Sequence, residues 1–598
     1  MGGVRTQKQR WHWVIREGTG EMRYLALAAD YDGTLASDGT VTPDTVDAIE
    51  RLVASGRKLI LVTGRLLPEL LEIFPEITLC ERVVAENGAV LYRPETKDIT
   101  LLAPAPRPAF LDEVQRRKVQ HLSVGHSIVA TRVPYETVIL DIIRDLGLEL
   151  RIIFNKGAVM VLSPGVNKAT GLTAALKELE LSPHNIAAIG DGENDHAMLT
   201  LSEYGVAVAN AVPMLKETAD RTTAGDHGIG VIELINDLVE NDLEVAEQSV
   251  SRHRILLGQR DNGDDVNLYP ARQNLLLAGT SGSGKSTLAT GLLERLVERG
   301  YQSCVIDPEG DYENFPQAIV LGTAQDGPSL TEIVTALANP HNHVVVNLVG
   351  LPLQDRPSFF WGLLPKLQEL RAKRGRPHWM LVDETHHLLP TDGNPTALSL
   401  AKELAGMIYV TVHPDQIEPS ILETADIVFA LGKSPEKTIG TYCSAIHQPA
   451  PAWAGSDLEP GRAMMWNRAS QEPPFLLEIA PSTMERRRHR RKYAEGELPP
   501  DRSFYFRGPT GSLNLRAQNL ILFMQIGEGV DEETWTHHLV NHHYSAWIRE
   551  CIKDDTLADH VREIEHQDVV PAPESRRLIR AAIEERYTLP AGGREPSG

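Results

Sequence analysis

Short apolar runs alternate with amphipathic stretches over two long parts of the chain. From residue 24 to about 235, the runs LALAAD, KLILVTG, RVVAEN and NIAAIGD each end at a polar turn that contains Gly or Asp. A second alternation starts near 272 with NLLLAG and continues through SCVID, VVVNLVG, WMLVDE, MIYVTV and DIVFALG. Apolar runs separated by helical stretches predict parallel sheets. The pattern therefore predicts two parallel-sheet α/β domains, with active sites beyond the carboxyl ends of their strands.

The same pattern predicts the domain boundaries. We expect a polar lead-in over 1–21, a first α/β domain over 22–235 with an inserted α+β cap at about 89–162, a linker over 236–271, a second α/β domain over 272–480, a basic and proline-containing linker over 481–500, a mainly helical domain over 501–585 and a disordered tail over 586–598. The linker 236–271 is expected to hold a helix and then an acidic loop, RDNGDDVN. Met22 directly precedes the first strand, so Met1 and Met22 are both open as the start.

Length and composition favour a multidomain cytoplasmic protein. A chain of 598 residues exceeds the size of one ordinary domain, and its 42% hydrophobic and 23% charged content is typical of soluble globular proteins. No apolar run approaches the length of a transmembrane helix, and the first residues lack the apolar segment of a secretory signal. The four cysteines are far apart, which argues against a disulfide framework or a cysteine zinc site. We therefore expect no membrane partner.

Charge bears on a nucleic-acid partner without deciding it. The net charge of −22 opposes indiscriminate binding to nucleic acid but leaves a local basic channel open. The run RRRHRRK at 486–492 is more simply a solvated linker than a nucleic-acid contact. His538 and His542 are four residues apart, but no glutamate completes an HExxH motif, so packing or solvated histidines are expected there instead of a zinc site.

The first candidate site begins with DYDGT at 30–34, directly after a predicted strand. Beyond a strand end, Asp30 and Asp32 can divide labour, since one carboxylate can attack phosphorus while the other handles protons. TGR at 63–65, Lys168 and GDGEND at 190–195 follow in order, each at or near a strand end. The acidic residues suit Mg²⁺, and the hydroxyl and the ammonium group suit a phosphoryl group.

This ordered set resembles the haloacid dehalogenase superfamily, specifically its Cof-type phosphatases, over about 22–235. The resemblance implies that Asp30 is the nucleophile, which forms an aspartyl-phosphate, and that Asp32 protonates the leaving oxygen and then activates water. It further implies that the phosphoryl oxygens are held by Thr63 and Lys168, and that Mg²⁺ is bound by Asp30, the backbone carbonyl of Asp32 and Asp191, supported by Asn194 and Asp195. The substrate is then a small phosphorylated metabolite, such as a sugar phosphate or a nucleotide, which the cap selects.

The second candidate site is GTSGSGKST at 279–287, which fits the phosphate-binding pattern G-x-x-x-x-G-K-[ST]. A strand precedes it and an amphipathic helix follows, as the pattern requires. Backbone N–H groups at the helix N-terminus would surround the phosphates of ATP, Lys285 would reach the β and γ phosphates, and Ser286 would bind Mg²⁺. The predicted nucleotide-binding residues are Gly279, Thr280, Ser281, Gly282, Ser283, Gly284, Lys285, Ser286 and Thr287.

WMLVDE at 379–384 supplies the partner of this loop. An apolar strand that ends in Asp-Glu is typical of a Walker B pair, in which Asp383 serves the metal and Glu384 polarises the attacking water. A nucleotide kinase needs no water-activating glutamate. The pair therefore favours ATP hydrolysis over phosphoryl transfer to a metabolite.

CVIDPEGDYE at 304–313, taken with GRPHWMLVDETHHLLP at 375–390, resembles the HerA–FtsK group of ring-forming ATPases over roughly 250–480. The resemblance implies a homo-oligomeric ring, usually a hexamer, with nucleotide at subunit interfaces and an arginine that reaches in from a neighbour. Thr411 or His413 lies where the family has a polar sensor. Arg356 and Arg374 are candidates for the arginine.

Three interpretations stay open at this stage. The first is a bifunctional enzyme, a Mg²⁺-dependent phosphatase fused to a ring ATPase. The second is a nucleic-acid translocase, of the kind a defence system uses, whose first domain acts on nucleic-acid ends or nucleotides. The third is a nucleotide sensor that assembles without turnover. Glu384 counts against the third, and the acidic chain counts against the second.

Overall fold

The computed structural model describes most of the chain in two compact units, residues 1–480 and 481–598. The described residues are 22–155, 157–244, 250, 252–270, 273–452, 458–470, 472–482, 498, 502–511, 513–552, 554–566 and 571–587. The predicted lead-in 1–21, the basic run 486–492 and most of the predicted tail lie outside them. In the described part of the chain, no helix is long and apolar enough to cross a membrane. All four cysteines are free thiols.

An eight-stranded sheet forms the centre of the first part of the chain, in the order β12-β11-β10-β1-β2-β3-β4-β5. Its strands are β1 (Ala26–Ala29), β2 (Lys58–Val62), β3 (Cys80–Ala85), β4 (Val90–Arg93), β5 (Asp98–Leu101), β10 (Ile186–Gly190), β11 (Tyr204–Ala207) and β12 (Arg221–Thr222). The strands from β12 to β3 run parallel. Every residue of β1 and β10 is buried, as expected for parallel strands covered on both faces.

Six helices accompany this sheet. They are α1 (Pro43–Ala54), α2 (Leu67–Ile73), α5 (Lys168–Leu179), α6 (His196–Leu201), α7 (Pro213–Thr218) and α8 (His227–Asn241). Helix α1 shows why these segments are helical: Thr42 caps its first turn by accepting a hydrogen bond from the Thr45 N–H, and its buried positions recur on one face. The apolar faces of these helices complete the core around the sheet.

The cap is a separate four-stranded antiparallel sheet, in the order β6-β7-β9-β8, with two helices. Its elements are α3 (Pro108–Arg116), β6 (Ser123–Val124), β7 (Val129–Arg132), α4 (Glu136–Asp145), β8 (Arg151–Asn155) and β9 (Ala158–Leu162). The predicted start at 89 is too early, because β4 and β5 pair antiparallel on the edge of the main sheet. A tight turn at 86–88 reverses the chain after β3 and makes that pairing possible.

An eleven-stranded sheet forms the centre of the next part of the chain, in the order β14-β13-β23-β22-β21-β15-β20-β19-β16-β18-β17. Its strands are β13 (Ile255–Arg260), β14 (Asp265–Leu268), β15 (Leu275–Gly279), β16 (Ser303–Asp307), β17 (Ala318–Leu321), β18 (His343–Asn347), β19 (Trp379–Val382), β20 (Met407–Thr411), β21 (Ile427–Leu431), β22 (Arg462–Asn467) and β23 (Phe475–Ile479). The seven strands from β21 to β17 run parallel, whereas β22, β23, β13 and β14 pair antiparallel.

The helices of this part connect the parallel strands. They are α9 (Lys285–Glu298), α10 (Leu330–Ala338), α11 (Arg356–Arg374), α12 (Thr385–Leu388), α13 (Pro395–Glu403), α14 (Pro419–Leu422) and α15 (Pro435–Ala445). Together the sheet and its helices enclose a second hydrophobic core.

The segment 236–271, predicted as a linker with an acidic loop, contributes a β-hairpin to this sheet. Strand β13 pairs with both β14 and β23, and the acidic stretch forms the hairpin turn, where the Arg260 N–H donates to the Asp264 carbonyl. Asn262 and Gly263 form the Asn-Gly pair that commonly marks a hairpin turn. Because aspartates surround this pair, the sequence predicts an acidic loop instead of a hairpin turn.

The second unit is mainly helical, in agreement with the predicted fold class. It contains β24 (Phe504–Phe506), β25 (Leu515–Ala517), α16 (Leu520–Gly529), α17 (Glu532–Val540), α18 (His543–Trp547), α19 (Asp555–Glu565) and α20 (Ala572–Tyr587). His538 and His542 do not share a helix face, because α17 ends at Val540. His538 instead accepts a hydrogen bond from the Arg507 N–H and contacts the His543 ring, as a packing histidine does.

Candidate functional site

The first candidate site lies where three neighbouring strands end. Strands β10, β1 and β2 are adjacent in the sheet, and Asp191, Asp30 and Thr63 follow them directly. All three side chains are buried. The parallel register therefore brings together residues that are far apart in the sequence.

Lys168 connects the carboxylates of this site. It is the first residue of α5, which Asn167 caps, and its Nζ lies 2.5 Å from Asp30 Oδ1 and 2.6 Å from Asp195 Oδ1. The N-terminus of α5 can approach the sheet because residue 88 is a glycine. A Cβ at Gly88 would lie 1.9 Å from the Asn167 carbonyl oxygen, and the φ of +101° there also favours glycine.

Three acidic side chains form a compact cluster around this ammonium group. Oxygen atoms of Asp30, Asp191 and Asp195 all lie within 4.8 Å of one another. The other carboxylate oxygen of Asp195 accepts hydrogen bonds from the N–H groups of Asp191 and Gly192, which fixes the loop after β10. The Thr34 hydroxyl donates a hydrogen bond to Asp191 Oδ1 at 3.2 Å.

The cluster holds more negative charge than Lys168 balances. Burial, together with the charges of Asp195 and Asp191, raises the pKa of Asp30 well above its usual value despite Lys168. Burial alone would lower the pKa of Lys168, but the two carboxylates that it contacts outweigh burial and raise it. A site of carboxylate oxygens with excess negative charge fits a hard divalent cation such as Mg²⁺.

Asn194 adds a further oxygen beside this cluster. Its Nδ2 donates to Asn87 Oδ1 at 3.0 Å, whereas its Oδ1 is buried and has no hydrogen-bond partner among the described residues. Such a buried amide oxygen is an additional donor suited to a cation or to a water bound to one. The supporting role of Asn194 at a metal stays a prediction.

Asp32 lies at the open edge of the site and forms an ion pair that the sequence did not reveal. Arg65 makes a two-point contact with it, with Nε 2.7 Å from Oδ2 and the second guanidinium nitrogen 2.5 Å from Oδ1. The Asp32 side chain is 42% exposed, in contrast to the buried Asp30. Arg65 belongs to the motif TGR at 63–65, in which the sequence predicts a role only for Thr63.

The cap contacts the main domain beside this site. Glu86, buried at the tight turn after β3, accepts hydrogen bonds from the backbone N–H groups of His126 and Ser127 in the cap. At the end of β8, Asn155 places its Oδ1 2.6 Å from the position that a Cβ on Gly192 would occupy. The cap therefore closes against the loop after β10, and this oxygen, buried without a hydrogen-bond partner among the described residues, faces that loop.

The second candidate site has the strand–loop–helix arrangement that its motif requires. The loop between β15 and α9 turns through Gly282 and Gly284, whose φ angles are +74° and +95°. Lys285, the first residue of α9, is buried and donates from Nζ to the carbonyl oxygens of Gly279 and Thr280, each at 3.0 Å. Thr280 and Ser281 are exposed, and Ser286 and Thr287 are half-buried on the first turn of α9.

Asp383 and Glu384 follow β19, separated from the loop strand β15 only by β20. Burial raises the pKa of Asp383 to about 7. Burial and the charge of Glu309 also raise the pKa of Glu384, although Lys285 opposes the shift. Glu384 has a left-handed backbone with φ of 41°, which is unusual for a residue other than glycine, and such strain often accompanies functional sites.

Thr411 ends the intervening strand β20. Its hydroxyl lies 3.1 Å from His386 Nδ1 and accepts a hydrogen bond from the His413 N–H, and His386 Nδ1 in turn lies 3.3 Å from Glu384 Oε2. Glu384 Oε2 itself is buried without a hydrogen-bond partner among the described residues, so His386 is near it without being bonded to it. Sequence reasoning had named Thr411 and His413 but had missed His386.

The acidic motif after β16 has a structural role at its first residue. Asp307 accepts hydrogen bonds from four successive backbone N–H groups, those of Glu309, Gly310, Asp311 and Tyr312. Of the two arginines considered for a neighbouring subunit, Arg356 donates to the Leu351 carbonyl and Arg374 pairs with Glu180 of the same chain.

Both α/β parts of the chain match known protein families. The haloacid dehalogenase-like hydrolase family matches residues 27–126 and 136–235, and the central domain of helicase HerA matches residues 266–359. A phosphoglycolate phosphatase of Methanothermobacter thermautotrophicus is 30% identical over 219 residues, which cover 35% of this chain and 96% of that protein. A phosphoglycolate phosphatase of Haloarcula marismortui is 30% identical over 224 residues, which cover 35% of this chain and 95% of that protein.

Among solved structures, a haloacid dehalogenase-like hydrolase from Bacteroides thetaiotaomicron aligns over 36% of this chain and 99% of its own, with 18% identity and a TM-score of 0.32. The sequence matches define a hydrolase domain followed by a HerA-like domain. Through its first domain, the chain belongs to the haloacid dehalogenase-like hydrolases. The resemblances to the haloacid dehalogenase superfamily and to HerA, expected from the sequence, are thereby confirmed.

The carboxylate cluster predicts a specific response to Mg²⁺. Because Asp191 adds to the repulsion that raises the pKa of Asp30, Asp191→Asn should raise the melting temperature of the metal-free protein by a few degrees. The same variant should lose most of the further rise that Mg²⁺ produces in the wild type. Differential scanning calorimetry with EDTA and with Mg²⁺ measures both effects. An Mg²⁺-dependent rise of equal size in the two proteins would contradict this assignment.

Proposed function

We propose that the first domain is a Mg²⁺-dependent phosphohydrolase that acts through an aspartyl-phosphate, and that the second domain hydrolyses ATP. The observation that carries the proposal is the placement of Lys168 between Asp30 and Asp195, with Asp32 at the open edge of the same site. Asp30 is thus held in the buried cluster, while Asp32 is partly exposed to solvent. That division of environment suits a nucleophile and a proton carrier.

The proposed reaction has two steps. A carboxylate oxygen of Asp30 forms a bond to phosphorus as the bond to the leaving oxygen breaks, and Asp32 gives that oxygen a proton. Asp32 then takes a proton from water, whose oxygen attacks phosphorus and releases Asp30 and inorganic phosphate. Bound Mg²⁺, held by Asp30, the Asp32 carbonyl and Asp191, would supply positive charge to the phosphoryl oxygens.

Two residues would hold the phosphoryl oxygens. Thr63 Oγ1 accepts a hydrogen bond from the Arg65 N–H, which leaves its own hydroxyl proton to donate to a phosphoryl oxygen. Lys168 contributes a buried positive charge, and its raised pKa keeps the ammonium group charged. Arg65 acts through Asp32, because its two-point contact fixes the orientation of that carboxylate.

The substrate class follows from the cap and the relatives. The cap closes over the site through contacts at Glu86 and Asn155, so it bounds the space left for a leaving group. Two relatives are named as phosphoglycolate phosphatases. A small phosphate monoester is the proposed substrate, and 2-phosphoglycolate, sugar phosphates and nucleotides are the compounds to compare.

The second domain has the residues for ATP hydrolysis at adjoining strand ends. In this proposal Lys285 leaves the carbonyl groups of its own loop to bind the β and γ phosphates, and Ser286 and Asp383 serve Mg²⁺. Glu384 orients the attacking water, supported by His386 and Thr411. As the HerA likeness implies, the active form would be a homo-oligomeric ring, with a hexamer as the expected size.

A nucleic-acid translocase is a second candidate function, favoured by one observation. The stretch 266–359 matches the central domain of helicase HerA, which includes the phosphate-binding loop and the segment after β16. Under this alternative, nucleic acid is the partner of the ATPase, and the first domain acts on its ends or on nucleotides.

The proposed phosphatase is tested by phosphate release from the compound panel, with and without ATP. Asp30→Asn should lower the best rate at least about a thousandfold, because it removes the nucleophile with little change in shape. If ATP turnover controls the phosphatase, ATP should change the wild-type rate and leave that of Lys285→Ala unchanged. Equal rates for wild type and Asp30→Asn on every compound would exclude a phosphatase that uses Asp30.

Nucleotide binding should depend on pH through Asp383. Its carboxyl must lose a proton to bind Mg²⁺, and with a pKa of about 7 it is protonated below that pH. The affinity for Mg²⁺·ATP should therefore fall by about tenfold per pH unit below about pH 7. Isothermal titration calorimetry measures the affinities, and Asp383→Asn corrects for the titration of ATP itself. A ratio of the two affinities that stays constant between about pH 6 and 8 would contradict the prediction.

The two candidate functions differ in their response to DNA. A translocase should hydrolyse ATP faster when duplex DNA is added, and Lys285→Ala should abolish hydrolysis in both conditions, because it removes the phosphate contact. A steady-state ATPase assay at low salt, where nucleic-acid contacts are strongest, makes the comparison. A rate of ATP hydrolysis that does not change when DNA is added favours the phosphatase with an attached ATPase.

A further inference from the structure

A buried cluster lies where the part of the chain with the eight-stranded sheet meets the part with the eleven-stranded sheet. Around it, Arg376 donates to the Glu180 carbonyl at 2.7 Å, and Asn185 Nδ2 donates to the Gly375 carbonyl at 3.1 Å. At the centre is Glu203, which is only 4% exposed. The phosphatase and ATPase sites do not use this cluster.

The two carboxylate oxygens of Glu203 have different neighbours. Oε1 is paired with Arg23. Oε2 faces two imidazole rings, with His184 Nδ1 at 2.5 Å and His253 Nε2 at 3.7 Å. The hydroxyl of Tyr301 lies 3.0 Å from both oxygens.

Hydrogen bonding fixes the tautomer of His184. Its Nε2 lies 2.8 Å from the Arg299 carbonyl oxygen, which can only accept, so Nε2 carries a proton. In the neutral ring Nδ1 then has a lone pair, and that lone pair faces a carboxylate oxygen. Such a pair at 2.5 Å is unfavourable unless the two atoms share a proton or move slightly apart to bind a cation together.

The environment of His253 favours a metal ion over a proton as that cation. Its Nε2 is buried and has no hydrogen-bond partner in the described part of the chain. An extra proton on His184 would relieve the contact with Glu203 but would leave His253 Nε2 unsatisfied. A metal ion would satisfy both rings and the carboxylate together.

We propose that His184 Nδ1, Glu203 Oε2 and His253 Nε2 bind one divalent transition-metal ion of the Zn²⁺ type. The three atoms already lie within 4.8 Å of one another. Tetrahedral zinc with bonds of about 2.0–2.2 Å places its ligand atoms roughly 3.3 Å apart, between the two distances to Glu203 Oε2. Two nitrogen donors distinguish this site from the all-oxygen cluster at Asp30 and favour zinc over magnesium.

The surroundings match those of a metal-binding histidine. Such a histidine usually donates its other ring N–H to a carbonyl or carboxylate, as His184 does to Arg299. The nearby charges are those of Arg23, which occupies the far oxygen of Glu203, and of Arg252, which pairs with Asp220.

The position of the ligands gives the metal a structural consequence. His184 and Glu203 belong to the first domain, whereas His253 lies two residues before β13 of the second sheet. A bound ion would therefore fasten the two parts of the chain together beside Tyr301, which stacks on His184 with 3.8 Å between ring centroids. The site joins the domains without taking part in either reaction.

Cobalt provides a direct test, because four-coordinate Co²⁺ with nitrogen ligands absorbs visible light much more strongly than six-coordinate Co²⁺ in oxygen sites. Full-length protein stripped with a chelator is titrated with Co²⁺ in excess Mg²⁺, which fills the oxygen sites. The expected result is one strongly absorbing Co²⁺ per chain, displaced by Zn²⁺. A wild type without such bands would overturn the proposal.

Variants assign the site. His253→Gln should lower the Co²⁺ affinity at least about a hundredfold, whereas His341→Gln, which changes an exposed histidine elsewhere, should leave it unchanged. Circular dichroism melting of each variant shows that it is folded. Bands that persist in folded His253→Gln would also overturn the proposal, since they would arise from other ligands. The outcome does not depend on phosphatase or ATPase activity.

Discussion

The organisation of the first domain depends on the balance of charge between Lys168 and the carboxylates of Asp30, Asp191 and Asp195. Like charges repel strongly in a buried environment, and one ammonium group cannot neutralise three carboxylates. The strand ends, the Asn167 cap and Gly88 hold these groups together despite that repulsion. The free protein is therefore already complementary to a cation and a phosphoryl group, so little rearrangement is needed when they bind.

The second domain also holds buried acidic residues near a lysine, but on different elements of its fold. Lys285 lies near Asp383 and Glu384, and burial leaves both acids with raised pKa values. In both domains the proposed function assigns these acidic residues to a divalent cation. The domains also share a buried contact, formed around Glu203 and Arg376, through which a change in one could alter the position of the other.

The sequence predicted both families and the fold class, but not every strand pairing or long-range side-chain contact. DYDGT, GDGEND and GTSGSGKST were recognisable because each places its functional groups within a few residues at a strand end. The pair of Asp32 with Arg65 and the grouping of His184, Glu203 and His253 were not, since they join distant segments with no characteristic spacing. The edge strands β4 and β5 were taken for the cap because pairing partners cannot be read from hydrophobicity alone, and the hairpin of β13 and β14 was hidden by its charged turn.

The contacts of Lys285 with Gly279 and Thr280 have a consequence for kinetics as well as for binding. An incoming phosphate must first displace two hydrogen bonds that the ammonium group makes to its own loop. If the loop binds ATP as proposed, its own carbonyl groups would compete with the phosphates for Lys285 and so favour the release of spent nucleotide. Tight retention of product is then not expected of this site, and the rate of exchange becomes a property of the loop itself.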